Sequence, residues 1–303
     1  MEIYRVKSVS ELHSLVGLGK PGHPLLTIVD YSKVDAQKAP GEGRFILDFY
    51  SITFKKNCSL GYGRQFFDHQ AGTLLCTAPG QVLHLKKPER MADVVGWGLF
   101  FHPELIRNTP LGKQMSEYTF FGYEENEALH LSRDEKRILT TLLGQVKNEY
   151  QTVLDGHSLA ILITHLELLL KYCQRFYGRQ FLTRTNQNKD LMTRFEQSVT
   201  EYFSSGQAKD AGLPTVKLFA GQMNLSANYF SDLLKSETGK SAREHLHYYL
   251  LERAKTLLLG TNCPVNEIAF ALGFEYPQNL TKLFKNKTGL TPTEYRALPE
   301  FKN

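Results

Sequence analysis

Gln278, Asn279, Lys282 and Lys285 fall within one short stretch, PQNLTKLFK, and all four are side chains that can address a base edge or a phosphate. Gln and Asn amides make paired hydrogen bonds to adenine in a major groove, and Lys reaches guanine or the backbone. For that chemistry they must share one face. As a helix starting at Pro277, where a missing N–H costs nothing, the stretch sends Leu280, Leu283 and Phe284 to one side. Gln278, Lys282 and Lys285 then lie opposite, with Asn279 on a flank. Surface lysines are ordinarily just solvated, so charge alone does not select this reading.

A repeat does. VKLFAGQMNL (216–225) aligns with VNEIAFALGF (265–274) at a shift of 49, and FSDLLKSETGKS (230–241) aligns with LTKLFKNKTGLT (280–291) at a shift of 50. Each copy is a short helix, a turn and a second short helix, which predicts two helix-turn-helix units at 215–239 and 264–289. In the first unit the same phase turns Asn228, Asp232 and Lys235 outward, with Ser231 on a flank. Between the units, SAREHLHYYLLERAKTLLLG opens with a Ser241/Glu244 capping box. About 18 helical residues at 1.5 Å each span roughly 27 Å. With flanking packing, two reading helices can then enter successive major grooves, about 34 Å apart. A third capping box, Thr291 with Glu294, starts a closing helix.

These segments resemble the DNA-binding domain of the AraC/XylS family of bacterial transcription regulators. The resemblance is carried by LFAGQMNLSANYFSDLLKSETGKSAREHLHYYLLERAKTLL and EIAFALGFEYPQNLTKLFKNKTGLTPTEYR. Ile268, Ala269, Gly273, Phe274, Phe284, Lys285, Gly289, Thr291, Pro292, Tyr295 and Arg296 fall where the family signature has them. It implies a sequence-specific regulator, by the habit of the family an activator, that binds double-stranded promoter DNA and works with RNA polymerase. Where the family often has Arg in the first reading helix, this chain has Asp232, which can accept a hydrogen bond from a cytosine amine.

The elements ahead of this region would control it. Residues 1–130 hold short aromatic and β-branched runs, Phe45–Lys55, Thr73–Thr77, Val82–Leu85 and Val94–Phe101, separated by GYG, AG and PG steps. They predict a β-sandwich or jelly roll. TLLCTAPGQVLHL (73–85) is similar to a strand, turn and His of cupin-like sensing domains. A metal-dependent cupin needs a His-x-His pair with further ligands, and His84 has no partner at that spacing, so neither a metal site nor an enzyme is expected. Phe49, Tyr50, Phe66, Phe67 and Trp97 are expected in the core of this region.

Residues 131–180 change to helical period, with Ser132/Glu135 as a capping box. Ile138, Leu142, Leu143 and Val146 share one face, and Leu159, Ile163, Leu166 and Leu170 share a face of a second run. Such a hairpin either covers the β domain or meets a second copy of itself, and dimerisation is the expectation. Polar, aperiodic FLTRTNQNKD (181–190) is expected to be a linker. Residues 191–303 form the DNA-binding domain, in which Tyr248, Tyr249, Phe270 and Phe274 are expected in the core. The fold class is thus α+β multidomain, with a β-rich cupin-like domain, a helical hairpin and an all-α double helix-turn-helix domain.

Composition sets the outer limits. At 303 residues with 42% hydrophobic and 22% charged content, the chain should fold into more than one domain. The net charge of +5 permits a polyanionic partner without demanding one. The longest apolar run, SLAILITHLELLL, is short for a membrane span, and the N-terminus lacks an apolar signal core. A cytoplasmic homodimer responding to a small-molecule effector, with no cofactor, is the expectation. Cys58, Cys76, Cys173 and Cys263 lack the spacing of a zinc site or disulfide framework. Two rival classes are a cupin enzyme and an interaction scaffold that uses the helical repeats to hold a protein.

Overall fold

The computed structural model describes residues 3–35, 43–56, 72–85, 95–152 and 155–298. The chain divides into two compact units, Met1–Thr183 and Arg184–Asn303.

In the first unit, β1 (Ile3–Val6) leads into α1 (Val9–Leu15), whose N-cap Ser8 accepts from the Glu11 N–H. β2 (Leu26–Asp30), β3 (Gly43–Leu47), β4 (Tyr50–Lys56), β5 (Thr73–Thr77), β6 (Val82–Leu85) and β7 (Val95–Phe101) follow. Then come α2 (Pro110–Gln114), β8 (Leu129–His130), α3 (Arg133–Gln151) and α4 (Ser158–Thr183). Five strands form an antiparallel sheet in the order β2-β7-β4-β5-β8, and three form a second sheet, β1-β3-β6. The expected stretch Phe45–Lys55 is two strands in different sheets. The chain breaks at Asp48, which accepts from the Arg5 side chain at 3.1 Å and donates its backbone N–H to Val6 O. The β1/β3 pairing is parallel, a departure from a wholly antiparallel jelly roll.

The period of two gives the large sheet two buried faces. One, with Val29 and Phe100, shares a core with Val6, Val9, Leu12, Leu47 and Phe49 of the small sheet and α1. The other carries Ile52, Phe54, Leu74, Cys76, Trp97 and Leu99 and meets the hairpin. Cys173 of α4 lies against Cys76, whose thiol burial holds protonated, and the Lys136 ammonium of α3 sits 4.9 Å from the centre of the Phe54 ring. Phe49 and Trp97 are buried as expected and Tyr50 is half-buried. Phe66, Phe67, Cys58 and the His84 side chain lie outside the described residues. Among the described residues, no cluster of three or more His, Cys, Asp or Glu could hold a metal ion.

The hairpin belongs to this unit, held by buried Leu139, Leu142, Leu143 and Val146 facing Leu162, Leu166, Leu169 and Leu170. Two phase details differ from expectation. Ile138 is only half-buried, with Leu139 in its place, and Leu159 is 52% exposed because the buried stripe of α4 begins at Leu162. Polar side chains fix α4 to the edge strand. Gln180 accepts from the His130 N–H (2.8 Å) and donates to Ala128 O (3.2 Å), while Arg179 grips Glu135 at 2.9 Å and donates to His130 O at 2.7 Å.

The expected linker at Phe181–Asp190 is helical. α4 runs to Thr183 and α5 (Thr185–Ser204) begins after Arg184 alone. Its polar composition misleads because Phe181 and Asn188 are both buried, and the Asn188 amide donates to Glu237 at 2.6 Å. The second unit continues with α6 (Gln207–Ala211), α7 (Val216–Gln222), α8 (Ala227–Thr238), α9 (Ala242–Gly260), α10 (Val265–Ala271), α11 (Pro277–Thr288) and α12 (Pro292–Arg296). It is all-helical. No helix among the described residues is long and apolar enough to cross a membrane.

Replacing Arg179 with Ala would leave the largely buried Glu135 carboxylate without its ion-pair partner, with only the Ser132 N–H still donating to it. The expected cost is about 1–3 kcal/mol of first-unit stability. Denaturation followed by fluorescence of Trp97, the single tryptophan, reads that unit directly.

Candidate nucleic-acid interface

Both helix-turn-helix units are built by the same local rules. In the first, the Thr215 hydroxyl accepts from the Leu218 N–H (3.2 Å) and starts α7. Asn224 then takes a left-handed conformation, φ 57°, and the Ser226 hydroxyl accepts from the Tyr229 N–H (3.2 Å) to start α8. In the second, Gly273 at φ 90° stands at the matching position, and Pro277 occupies the first turn of α11. The backbone bonds repeat as well. Leu225 N–H reaches Ala220 O and Phe274 N–H reaches Ala269 O, both at 2.9 Å, the six-residue closure that ends a helix at a left-handed residue. Ala220 and Ala269 are fully buried where the paired helices cross.

α11 places its side chains as the sequence phase requires. Leu280 and Phe284 are buried against Leu250, Leu251, Ile268, Ala269 and Leu272, with Leu283 packed beside them. Gln278, Asn279, Lys282 and Lys285 are all exposed. The structure therefore brings these four to solvent on the face away from the core. The first unit is less open. Tyr229, Phe230, Leu233 and Leu234 are buried, and Asn228 and Lys235 are exposed, but Ser231 and Asp232 are half-buried. The Ser231 hydroxyl accepts from the Ala242 N–H at 3.4 Å. It faces the start of α9 rather than the open side, because α9 follows α8 after only a short turn.

Framing contacts hold the second helix-turn-helix on the first. α9 starts with the reciprocal Ser241/Glu244 box, and the matching hydrogen bonds hold the Glu244 carboxyl below the usual carboxylate range. At its other end, Arg296 of α12 donates to Leu258 O (2.9 Å) and Cys263 O (2.7 Å). Tyr295 packs edge-on to Phe284 at 5.3 Å. α5, whose first residues were expected to be a linker, supplies Phe195 at the centre of the first helix-turn-helix, against Phe219 and Phe230.

Two of the four aromatics expected in the core are not there. Phe274 is buried and Tyr249 half-buried, but Tyr248 is 52% and Phe270 50% exposed. α10 has only two turns, and its inward stripe is taken by Ile268, Ala269 and Leu272, which leaves Phe270 outward. The Lys240 ammonium lies 5.5 Å from the Tyr248 ring centre, a cation–π contact that favours leaving that ring outside. Arg243 and Lys287, outside the predicted rows, are also exposed.

A family model described as a helix-turn-helix domain matches residues 219–298. The HTH-type transcriptional regulator YijO of Escherichia coli is 28% identical over 237 residues, 77% of each chain. The HTH-type transcriptional activator RhaR of Yersinia pestis is 26% identical over 137 residues, 45% of this chain and 43% of its own length. Among solved structures, the C-terminal domain of the response regulator yesN from Fusobacterium nucleatum is 29% identical, covering 37% of this chain and 98% of that one with a TM-score of 0.30.

The left-handed glycines make a graded test. A Cβ on Gly273 would stand 2.5 Å from the Gly212 carbonyl carbon and 2.7 Å from Ala208 O, whereas Gly289, at φ 82°, has nothing within 4 Å. Gly289→Ala should cost about 1–2 kcal/mol, the strain of a left-handed residue. Gly273→Ala should cost at least about twice that, since backbone must also shift. Thermal unfolding followed by far-ultraviolet circular dichroism would rank the two.

Proposed function

The C-terminal unit of this chain is a helix-turn-helix domain of the AraC type, and from that premise we propose that α8 and α11 read two successive major grooves of a promoter. The observation that carries this reading is the repeated turn geometry, together with the exposed row Gln278, Asn279, Lys282 and Lys285 on α11. The 19 residues of α9 give roughly 28 Å between the units at 1.5 Å per residue, compatible with the 34 Å repeat once flanking packing is added. In this reading Gln278 and Lys282 contact bases, Asn279 and Lys285 support them, and Asn228, Asp232 and Lys235 serve the first half-site. Ser231 contributes at its edge.

The β-rich part of the first unit is, in this reading, a cupin-like sensing domain for a small-molecule effector, and the hairpin forms a homodimer. α4 supports the dimer. Ile161 and Leu168 stand one heptad apart on its outer face and each is 41% exposed, the spacing of a helix-helix seam. Effector binding shifts the population of dimer arrangements and so the presentation of two DNA-binding units to paired sites. The outcome is recruitment of RNA polymerase in the cytoplasm, with activation as the sign.

Selection of duplexes from a random pool, at two salt concentrations, tests the core of the proposal. Enrichment of two segments about one helical turn apart is expected; salt-insensitive association, or none with any duplex, would favour a protein scaffold instead. On the enriched sequence, Gln278→Ala or Lys282→Ala should each weaken binding by about 1–3 kcal/mol. Leu168→Glu should shift the sedimenting species from dimer to monomer, and an unchanged dimer would move the interface off α4.

A further inference from the structure

Leu159, exposed where sequence phase places it in the core, borders a cavity of the first unit. The cavity holds about 320 Å³, at the lower end of the roughly 300–1,000 Å³ of small-molecule sites. Four segments wall it: the lead into β2, the 3₁₀ turn Pro103–Leu105 that follows β7, the end of α3 and the start of α4. Two contacts hold these walls together. The His102 N–H donates to Leu25 O at 2.7 Å, which fastens the 3₁₀ turn to the lead. The Tyr150 ring would stand 3.3 Å from a Cβ on Gly22, so the end of α3 is seated against the same lead. Leu25, Leu105, Tyr150 and Leu162 make most of the lining apolar, and the last three are buried.

The charged groups that line the cavity are carboxylates, Glu104, Glu149 and Asp155. Glu104 is already paired with Arg107 at 2.6 Å. Asp155 accepts from the His157 N–H (2.8 Å), the Ser158 N–H (3.0 Å) and the Ser158 hydroxyl (3.2 Å), all on Oδ1. These bonds hold its carboxyl below the usual range and leave Oδ2 for another donor. Glu149 and Asp155 enter none of the ion pairs among the described residues. The remaining polar wall is His23, whose Nδ1 accepts from the Leu25 N–H at 3.1 Å. Burial lowers its pKa, so at neutral pH the ring is uncharged, with its proton on Nε2, and does not oppose a cation. We propose that this cavity binds a small organic cation, its ammonium between Glu149 and Asp155 and its apolar part along Leu25, Leu105 and Leu162. The inference deepens the reading of the first unit as a small-molecule sensor, on which its role as an effector site rests. It places that site between the large sheet and the hairpin instead of between the two sheets. A ligand that touches the lead into β2 and both hairpin helices favours the arrangement that brings them together.

The test titrates the full chain with hexylammonium, hexanol and hexanoate by calorimetry, for wild type and the double variant Glu149→Gln/Asp155→Asn. Asn keeps an acceptor for the start of α4, and circular dichroism confirms the fold. Affinity for the duplex enriched from the random pool is then measured with and without hexylammonium. Wild type should bind hexylammonium more tightly than hexanol, and hexanoate least. The double variant should lose about tenfold in affinity for hexylammonium and keep its affinity for hexanol. Hexylammonium should change the duplex affinity of wild type and not that of the variant. Equal binding of hexylammonium by both proteins, or tighter binding of hexanol or hexanoate, overturns the assignment to a cation. No saturation of wild type by any of the three overturns the cavity as a site and leaves the sensing reading in place. Binding with the expected loss in the variant, but with duplex affinity unchanged, keeps the site and removes the sensing reading.

Discussion

The second unit depends on two residues held in a conformation that most side chains avoid. At Asn224 and Gly273 the chain turns left-handed, and only then can the next amide reach back five residues and release the backbone at the angle the second helix of each pair needs. The residue types differ for a local reason. Gly273 faces the backbone of Gly212 and Ala208 at distances that no Cβ could tolerate, whereas Asn224 is exposed. Asn is the non-glycine residue best suited to this conformation. Helix α6 and the Gly212 that ends it therefore impose glycine on the second turn by packing over it.

The first unit rests on a different balance. Its large sheet is buried on both faces, so each strand is apolar on alternate sides for different partners, the small sheet on one and the hairpin on the other. Helix α4 carries the heavier duty. It buries Leu162, Leu166 and Leu170 inward, keeps Ile161 and Leu168 outward, and near its end exchanges hydrogen bonds with edge strand β8. A short edge strand capped by side-chain amides is one way to prevent it from recruiting another strand. The same contact ties the strand order of the sheet to the last turns of the helix that leads to Arg184.

Much of this was legible in the sequence where local physics decides. The capping boxes at Ser132, Ser241 and Thr291, the cap at Thr215, the glycine break at 273 and the phase of α11 follow from rules that act within a turn or two. Tertiary competition decided the rest. Phe270 is outside because smaller neighbours occupy the inward stripe, and Ser231 is turned because α9 starts beside it. Polar 181–190 became helix because Asn188 has a partner, Glu237, 49 residues away. None of these leaves a mark in a local window. Nor does the parallel pairing of β1 with β3, which joins residues about 40 positions apart.

The two reading helices are copies in backbone but not in electrostatics. α11 presents Lys282 and Lys285, both exposed, and carries no acidic side chain; α8 presents Lys235 with Asp232 three residues before it. Counterion release rewards the second helix on any duplex, whatever its sequence. The first gains less in that way, since Asp232 carries the charge opposite to Lys235. On the proposed reading, α11 supplies most of the sequence-independent attraction and α8 acts chiefly by what it excludes. Affinity and selectivity then reside, on that reading, in different helix-turn-helix units.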